Sequence, residues 1–294
     1  MVTNNFQKRI LFTGGSSLLA FLWAKARAET NDILLIEHEK KIPYSFWPVA
    51  KLKLDDPRKL ADFFNEQQVD TVVHTAALTN VELCEKQPDL ADLVNAKISG
   101  LVAKACRLAD VQMIHISTDH FYGLEQDCFS EEHQPILMNT YAISKFKGEQ
   151  LVMEQYEAAL VCRTNFYGYG PAHKFSFSDK IIASLRNQIP ITLFEDVFFT
   201  PLIGAKLAEY AHELIDKGFS GIFNICSNDI ITKYSFGLAI AQELDLPSKF
   251  VIPCSINDKK DLVCRPTAMA LSNQKATNAL GHSLDTIADH LKLL

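Results

Sequence analysis

The feature that most limits the fold is a rhythm. Over residues 1–165, short apolar runs of strand character alternate with segments of helical periodicity. Arg9-Ile-Leu-Phe-Thr13 reads as a strand, Leu18 to Ala28 as a helix, and Asp32-Ile-Leu-Leu-Ile36 as a second strand. Pro57, suited to the first turn of a helix, opens one that runs to Glu66. Strands follow at Asp70–His74, Val111–Ile116 and Ala158–Cys162, separated by long helices at Pro88–Leu108 and Asn139–Tyr156. This order predicts an α/β fold: a doubly wound parallel sheet with helices on both faces. Its ligands belong at the carboxyl ends of the strands.

After Arg163 the rhythm loosens. Gly168-Tyr-Gly-Pro171 is a turn cluster. Helices are expected at Ser176–Arg186, Gly204–Lys217, Lys233–Leu244 and Leu284–Leu293, with strands at Ile189–Phe194 and Gly221–Cys226. The expected division is a first domain over 1–165 and a smaller α+β lobe over 166–294, some of whose segments return to the first sheet. A chain of 294 residues accommodates both and needs no disulfide or metal staple.

Charge and cysteines exclude several classes of function. A net charge of −6 argues against a nucleic-acid partner, although a few placed arginines suffice for a diphosphate. The seven cysteines are odd in number and form no C-x-x-C pair, which predicts buried free thiols in a reducing, cytoplasmic setting. The nine histidines show no paired ligand spacing, so no metal is expected. Lys8 and Arg9 precede an apolar stretch from Ile10 to Ala24 that imitates a signal peptide. Thr13-Gly-Gly-Ser-Ser17 interrupts it with turn residues, and no apolar run reaches the ~18 residues of a membrane span.

Three motifs carry chemistry. Tyr141 and Lys145 lie four apart, on one face of a helix. A neighbouring ammonium favours the phenolate and should lower the tyrosine pKa, so that the hydroxyl can exchange a proton with an alcohol or ketone oxygen. Upstream, Ile116-Ser-Thr-Asp-His120 ends a buried strand, where Thr118 or Ser117 can hydrogen-bond the same oxygen. The first strand runs into Thr13-Gly-Gly-Ser-Ser-Leu-Leu-Ala20, a turn able to seat a pyrophosphate on a helix N-terminus through Gly14, Ser16, Ser17 and Leu18. Ser17 occupies a place normally held by glycine, so Ser17→Gly is expected to tighten dinucleotide binding. Glu37, at the end of the second strand, is placed to accept ribose hydroxyls and favours NAD(H), while Lys40 and Lys41 leave room for NADP(H).

With these motifs in order, the chain resembles the extended short-chain dehydrogenase/reductase superfamily, and within it the dTDP-4-dehydrorhamnose reductase-like group. The resemblance spans Thr13-Gly14, His74-Thr-Ala-Ala77, Asn95-Ala96, Ser117-Thr-Asp119, Asn139 to Glu149, Arg163-Thr164, Phe199-Thr-Pro201, Gly221-Ile-Phe-Asn224 and Arg265-Pro266. It implies an N-terminal Rossmann domain, a C-terminal sugar-nucleotide lobe, and hydride transfer from a nicotinamide to a 4-keto sugar for polysaccharide biosynthesis. In that role Thr118 polarises the ketone, Tyr141 donates the proton, and Lys145 holds the nicotinamide ribose. Ala76 and Ala77 line the cofactor channel, and Asn95 orders the active-site end of its helix. Asp119 and His120 face the sugar, and Arg265 takes the nucleotide diphosphate. Relatives of this kind often form homodimers. The chain departs from the group's pattern at Ser17, at Lys53 (commonly an aspartate against adenine) and at His120 (commonly tyrosine). Two other readings use the same fold. An epimerase or dehydratase normally needs a second carboxylate where this chain has Asp119-His120. A non-catalytic regulatory subunit, similar to the β subunit of methionine adenosyltransferase, would tolerate the altered glycine turn.

Overall fold

The computed structural model describes residues 7–38, 41–123 and 128–294; Lys40 lies outside them. The first half follows the predicted order. It contains β1 (Arg9–Thr13), α1 (Leu18–Arg27), β2 (Asp32–Glu37), β3 (Val49–Lys51), α2 (Pro57–Glu66), β4 (Thr71–His74), α3 (Val81–Lys86), α4 (Pro88–Asp92), α5 (Ile98–Ala109), β5 (Gln112–Ile116), α6 (Thr140–Gln155) and β6 (Leu160–Arg163). Short polar side chains start these helices: Ser17 caps α1, Asp56 accepts from two amides at the head of α2, and Asn139 caps α6. Ile10, Leu11 and Phe12 are fully buried, as a strand covered on both faces requires.

The second half adds β7 (Phe166–Tyr167), α7 (Phe177–Arg186), β8 (Ile191–Phe194), β9 (Phe198–Phe199), β10 (Leu202–Ile203), α8 (Gly204–Asp216), β11 (Gly221–Asn224), β12 (Ile231–Thr232), α9 (Lys233–Glu243), β13 (Val251–Cys254), β14 (Ala268–Met269), α10 (Gln274–Leu280) and α11 (Ile287–Leu291). β11 pairs in parallel with β6. The large sheet therefore has seven strands in the order β11-β6-β5-β4-β1-β2-β3, all parallel. The remaining strands form three small sheets of two or three strands.

This is the doubly wound Rossmann architecture. The strand order reverses between β1 and β4, which opens a crevice at their carboxyl ends. One apolar core packs α1, α8 and α10 on one sheet face, and another packs α2, α5 and α6 on the opposite face. A third core holds the lobe around α7, α9 and α11 together. Among the described residues, no helix is long and apolar enough to cross a membrane.

Three expectations need correction. The helix expected as one piece over 88–108 is divided by a π-turn at Leu93–Lys97. That turn widens the helix where Asn95 reaches inward to Leu78 and Ser144, and where Gly148 of α6 lies against the Asn95 carbonyl with no room for a Cβ. The short elements β3, α3, α10 and most strands of the lobe carry too little periodicity to be read in advance. The cysteines are all free, but only Cys84, Cys106, Cys162 and Cys226 are buried; Cys128 and Cys264 are exposed in loops.

Candidate active site

The crevice holds a cavity of about 340 Å³. Ser17 and Leu18 from the head of α1, Thr75 and Ala77 beyond β4, and Ile116 to His120 beyond β5 line it, with Tyr141 and Lys145 from α6. Thr164, Asn165, Phe166 and Lys174 close it from the side of the lobe. Thr118, Tyr141 and Lys145, which lie on two elements in sequence, thus share one space with the glycine turn.

Each is held by identifiable contacts. Asn139 accepts from the Ala142 amide and donates to the Cys264 carbonyl, so the start of α6 is fixed at both sides. The Lys145 ammonium is 2% exposed and donates to the Ile116 carbonyl at 2.6 Å. Burial pulls its pKa down to about 8, against an opposing pull from the Glu149 carboxylate. Tyr141 is 9% exposed. Its pKa lies above the ordinary phenol value because of burial; the hydrogen bond with Thr118 acts in the opposite sense, and the Asp119 carboxylate adds to the rise. The expected lowering by Lys145 is absent, because burial dominates and the ammonium is tied to the Ile116 carbonyl.

Asp119 is 2% exposed and accepts from Asn165 at 2.7 Å. Its other oxygen lies 3.5 Å from the His120 Nδ1. The His120 ring stands edge-on to Tyr141, with centroids 5.5 Å apart. Behind Lys145, His74 bridges the Thr13 hydroxyl at 2.7 Å and the Ser99 hydroxyl at 3.1 Å, and stacks on His115. Burial holds His74 at about 3, so it is neutral.

The glycine turn is intact in geometry. Gly14 has φ +69°, and a Cβ there would meet the Ala76 Cα at 2.7 Å. Glycine is therefore required both by conformation and by the close approach of Ala76. Ser17 has φ −75°, which any residue adopts. Its hydroxyl accepts from the Ala20 amide at 3.0 Å and donates to Thr75 at 3.0 Å. The serine thus caps the helix, a contact that the expected gain from Ser17→Gly did not take into account.

Other expected residues stand elsewhere. Ala76 packs under Gly14, and Asn95 ties the loop after β4 to α6 by accepting from the Leu78 amide and donating to the Ser144 hydroxyl. Neither they nor Ser16 line the cavity. Glu37 lines a separate cavity between β2 and β3. Arg265 is not in the lining either: its guanidinium pairs with Glu82 of α3 and donates to the Val263 carbonyl. Sequence reading assigned no site role to Thr75, Thr164, Asn165, Phe166 or Lys174; Thr75 and Thr164 lay within matched stretches and Asn165 directly after one, whereas Phe166 in β7 and Lys174 in a loop carried no signal.

Fold and cavity together define a Rossmann-type α/β protein with a buried threonine, tyrosine and lysine beside its dinucleotide turn. The chain belongs to the RmlD substrate binding domain family, which matches residues 8–294. It is 28% identical to the probable low-salt glycan biosynthesis reductase Agl14 of Haloferax volcanii over 287 residues, 96% of this chain and 95% of that one. It is 27% identical to methionine adenosyltransferase 2 subunit beta of Pongo abelii, over 84% of this chain and 75% of that one. The dTDP-4-dehydrorhamnose reductase of Bacillus anthracis, solved in complex with NADP, shares the fold with a TM-score of 0.83 at 23% identity, covering 98% of each chain.

Proposed function

We propose that the chain reduces the keto group of a nucleotide sugar with a nicotinamide dinucleotide, as part of polysaccharide biosynthesis. The observation that carries this reading is the convergence of Thr118, Tyr141 and Lys145 on the cavity that Ser17 and Leu18 also line. The names of the Haloferax and Bacillus relatives support the same class of reaction. The residues fit a dinucleotide: the ten-residue helix α1 opens its N-terminus on the cavity at Ser17 and Leu18. When bound, the dinucleotide supplies the hydride.

The protein's own residues supply binding and a proton. Thr118 hydrogen-bonds the carbonyl oxygen of the substrate and polarises it. Tyr141 is protonated at neutral pH, with burial raising its pKa above the ordinary phenol value, and it donates the phenolic proton to the same oxygen as negative charge develops. Lys145, tied to the Ile116 carbonyl by one N–H, turns its remaining donors toward a ribose. Asp119 and His120 orient the sugar hydroxyls, and the loop 164–166 shields the reacting centre on the side of the lobe. Residues 1–165 form the dinucleotide half in this reading and 166–294 the sugar half, with β11 crossing back to the sheet.

The test is a panel of 4-keto nucleotide sugars with NADH and NADPH, followed at the nicotinamide absorbance. Substrate-dependent oxidation supports the reading, and none with any member of the panel rejects it. A regulatory role is the second reading, favoured by the similarity to the methionine adenosyltransferase subunit. Stoichiometric co-purification of a synthetase partner without nucleotide-sugar reduction distinguishes it.

A further inference from the structure

Thr118, Asp119 and His120 are consecutive beyond β5, and all three line the active cavity. Asp119 is fixed from the side of the lobe, where Asn165 donates to its Oδ2 at 2.7 Å. Its Oδ1 lies 3.5 Å from the His120 Nδ1, and the His120 amide donates to the Thr118 hydroxyl at 3.3 Å. Carboxylate and backbone thus hold the imidazole from two sides. The carboxylate favours the ring proton on Nδ1 and leaves the lone pair on Nε2. Contacts of this length tighten when a substrate fills the site. The Nε2 atom is shielded from water and has no hydrogen-bond partner among the described residues.

A carboxylate behind an imidazole with a free Nε2 is the arrangement of a general base. Reduction gives it nothing to do, because a hydride and the Tyr141 proton complete that reaction. Its neighbour sets what it can act on. The His120 ring stands edge-on to Tyr141, with centroids 5.5 Å apart. In the proposed reaction Tyr141 and Thr118 hold the carbonyl oxygen of the substrate. The same two hydrogen bonds acidify a C–H on the carbon beside that carbonyl, since loss of its proton puts negative charge on the oxygen they contact. The tyrosine common at position 120 in the group would not be a base at neutral pH.

We infer that His120, oriented by Asp119, removes the proton from the carbon next to the keto group, so that the site enolises its nucleotide sugar as well as reducing it. The C–H bond breaks and the proton passes to Nε2. The electron pair forms the carbon–carbon double bond of an enolate, whose oxygen takes the hydrogen bonds of Thr118 and Tyr141. Return of a proton to the carbon restores the ketone. Delivery by water to the opposite face inverts the centre, and the imidazolium then releases its proton to solvent. No oxidant or reductant is consumed. The inference rests on the reading of the chain as a nucleotide-sugar reductase and adds an activity to it.

The experiment incubates the full chain with each 4-keto nucleotide sugar of the panel and NADP⁺ in D₂O. Deuterium at the carbons beside the keto group is read by NMR and mass spectrometry against a protein-free control, and reduction of the same sugars by NADPH is measured in parallel. The expected result is protein-dependent exchange in a sugar that is also reduced. In His120→Gln and in His120→Tyr the ratio of exchange to reduction should fall by about 10²–10⁴-fold. A merely structural role would lower both rates together and leave the ratio in place. Reduction without exchange in the wild type, or a ratio unchanged in the variants, overturns the inference and leaves the reductase reading standing. Exchange without reduction of any sugar supports the base and overturns the reductase reading. Absence of both overturns both.

Discussion

The cavity around Tyr141 and the cavity between β2 and β3 sit on one edge of one sheet, yet water reaches them very differently. In the first, Thr118, Asp119, Tyr141 and Lys145 are all buried, and desolvation is the largest cause of the shifts at Tyr141 and Lys145. In the second, the Lys51 side chain is 84% exposed and the local hydrogen bond from the Ile42 amide dominates at Glu37. The first cavity is built to change protonation energies. In the second, charges are compensated at the surface, where water screens them. The same contrast separates the buried Arg163–Glu149 pair from the exposed Lys51–Glu37 pair.

The largest effect is expected at the buried end. Tyr141→Phe removes the proposed proton donor and should lower kcat by about 10²–10⁴-fold, while NADPH affinity by titration stays close to wild type. A variant that retains most of its turnover would place the proton donor elsewhere and break the contrast.

Glu149→Ala tests the burial itself. Glu149 holds Arg163 at 2.7 Å, with the Tyr122 hydroxyl on the guanidinium and the Phe121 ring 5.2 Å away. Stranding that arginine should cost about 3–5 kcal/mol in urea unfolding. Lys51→Ala, at the exposed pair, should leave the midpoint in place. Equal losses in the two variants would mean that burial does not distinguish the regions.

Next comes Lys145. Its pKa is about 8 in the folded chain against an ordinary value of 10.5. Below pH 8 the group is charged in both states and the burial penalty is complete. Between about 8 and 10.5 the folded state sheds its proton first, so this group's contribution to native stability rises with pH. The stability of Lys145→Met relative to wild type should therefore be greatest at pH 7, and fall by about 3 kcal/mol toward pH 10.5. Urea unfolding at both pH values reads it, and a pH-independent difference would contradict the depressed lysine.

The smallest effect belongs to Ser17→Gly. Loss of the cap on the Ala20 amide should cost a few tenths of a kcal/mol, without the tighter NADH binding that a missing glycine first suggested. A clear gain in affinity by titration would show that the serine Cβ does obstruct the phosphate.

Much of the first half was legible because its signals are local. The boundaries of β1 and α2 agree residue for residue with the periodicity and the proline at Pro57. The Tyr141–Lys145 spacing needs only a helix to bring both residues to one face. The π-turn at Asn95 was not legible, because it depends on Gly148, on another helix, coming close. The pairing of Arg265 was not legible for a similar reason: its partner Glu82 is 183 residues away, and no spacing rule reaches that far. The short strands of the lobe were lost because two residues show no period.

By itself the sequence determined the parallel sheet, the Gly14 turn, and the presence of a threonine, a tyrosine and a lysine beside it. These follow from patterns over a few residues, where backbone geometry fixes what faces what. The tertiary structure alone decided the state of those groups. It tied Lys145 to the Ile116 carbonyl, buried Tyr141 until its pKa rose, engaged Glu37 with Ile42 and Lys51, and paired Arg265 with Glu82. Desolvation and long-range pairing depend on what surrounds a side chain in space, and a chain acquires those surroundings only when it has folded.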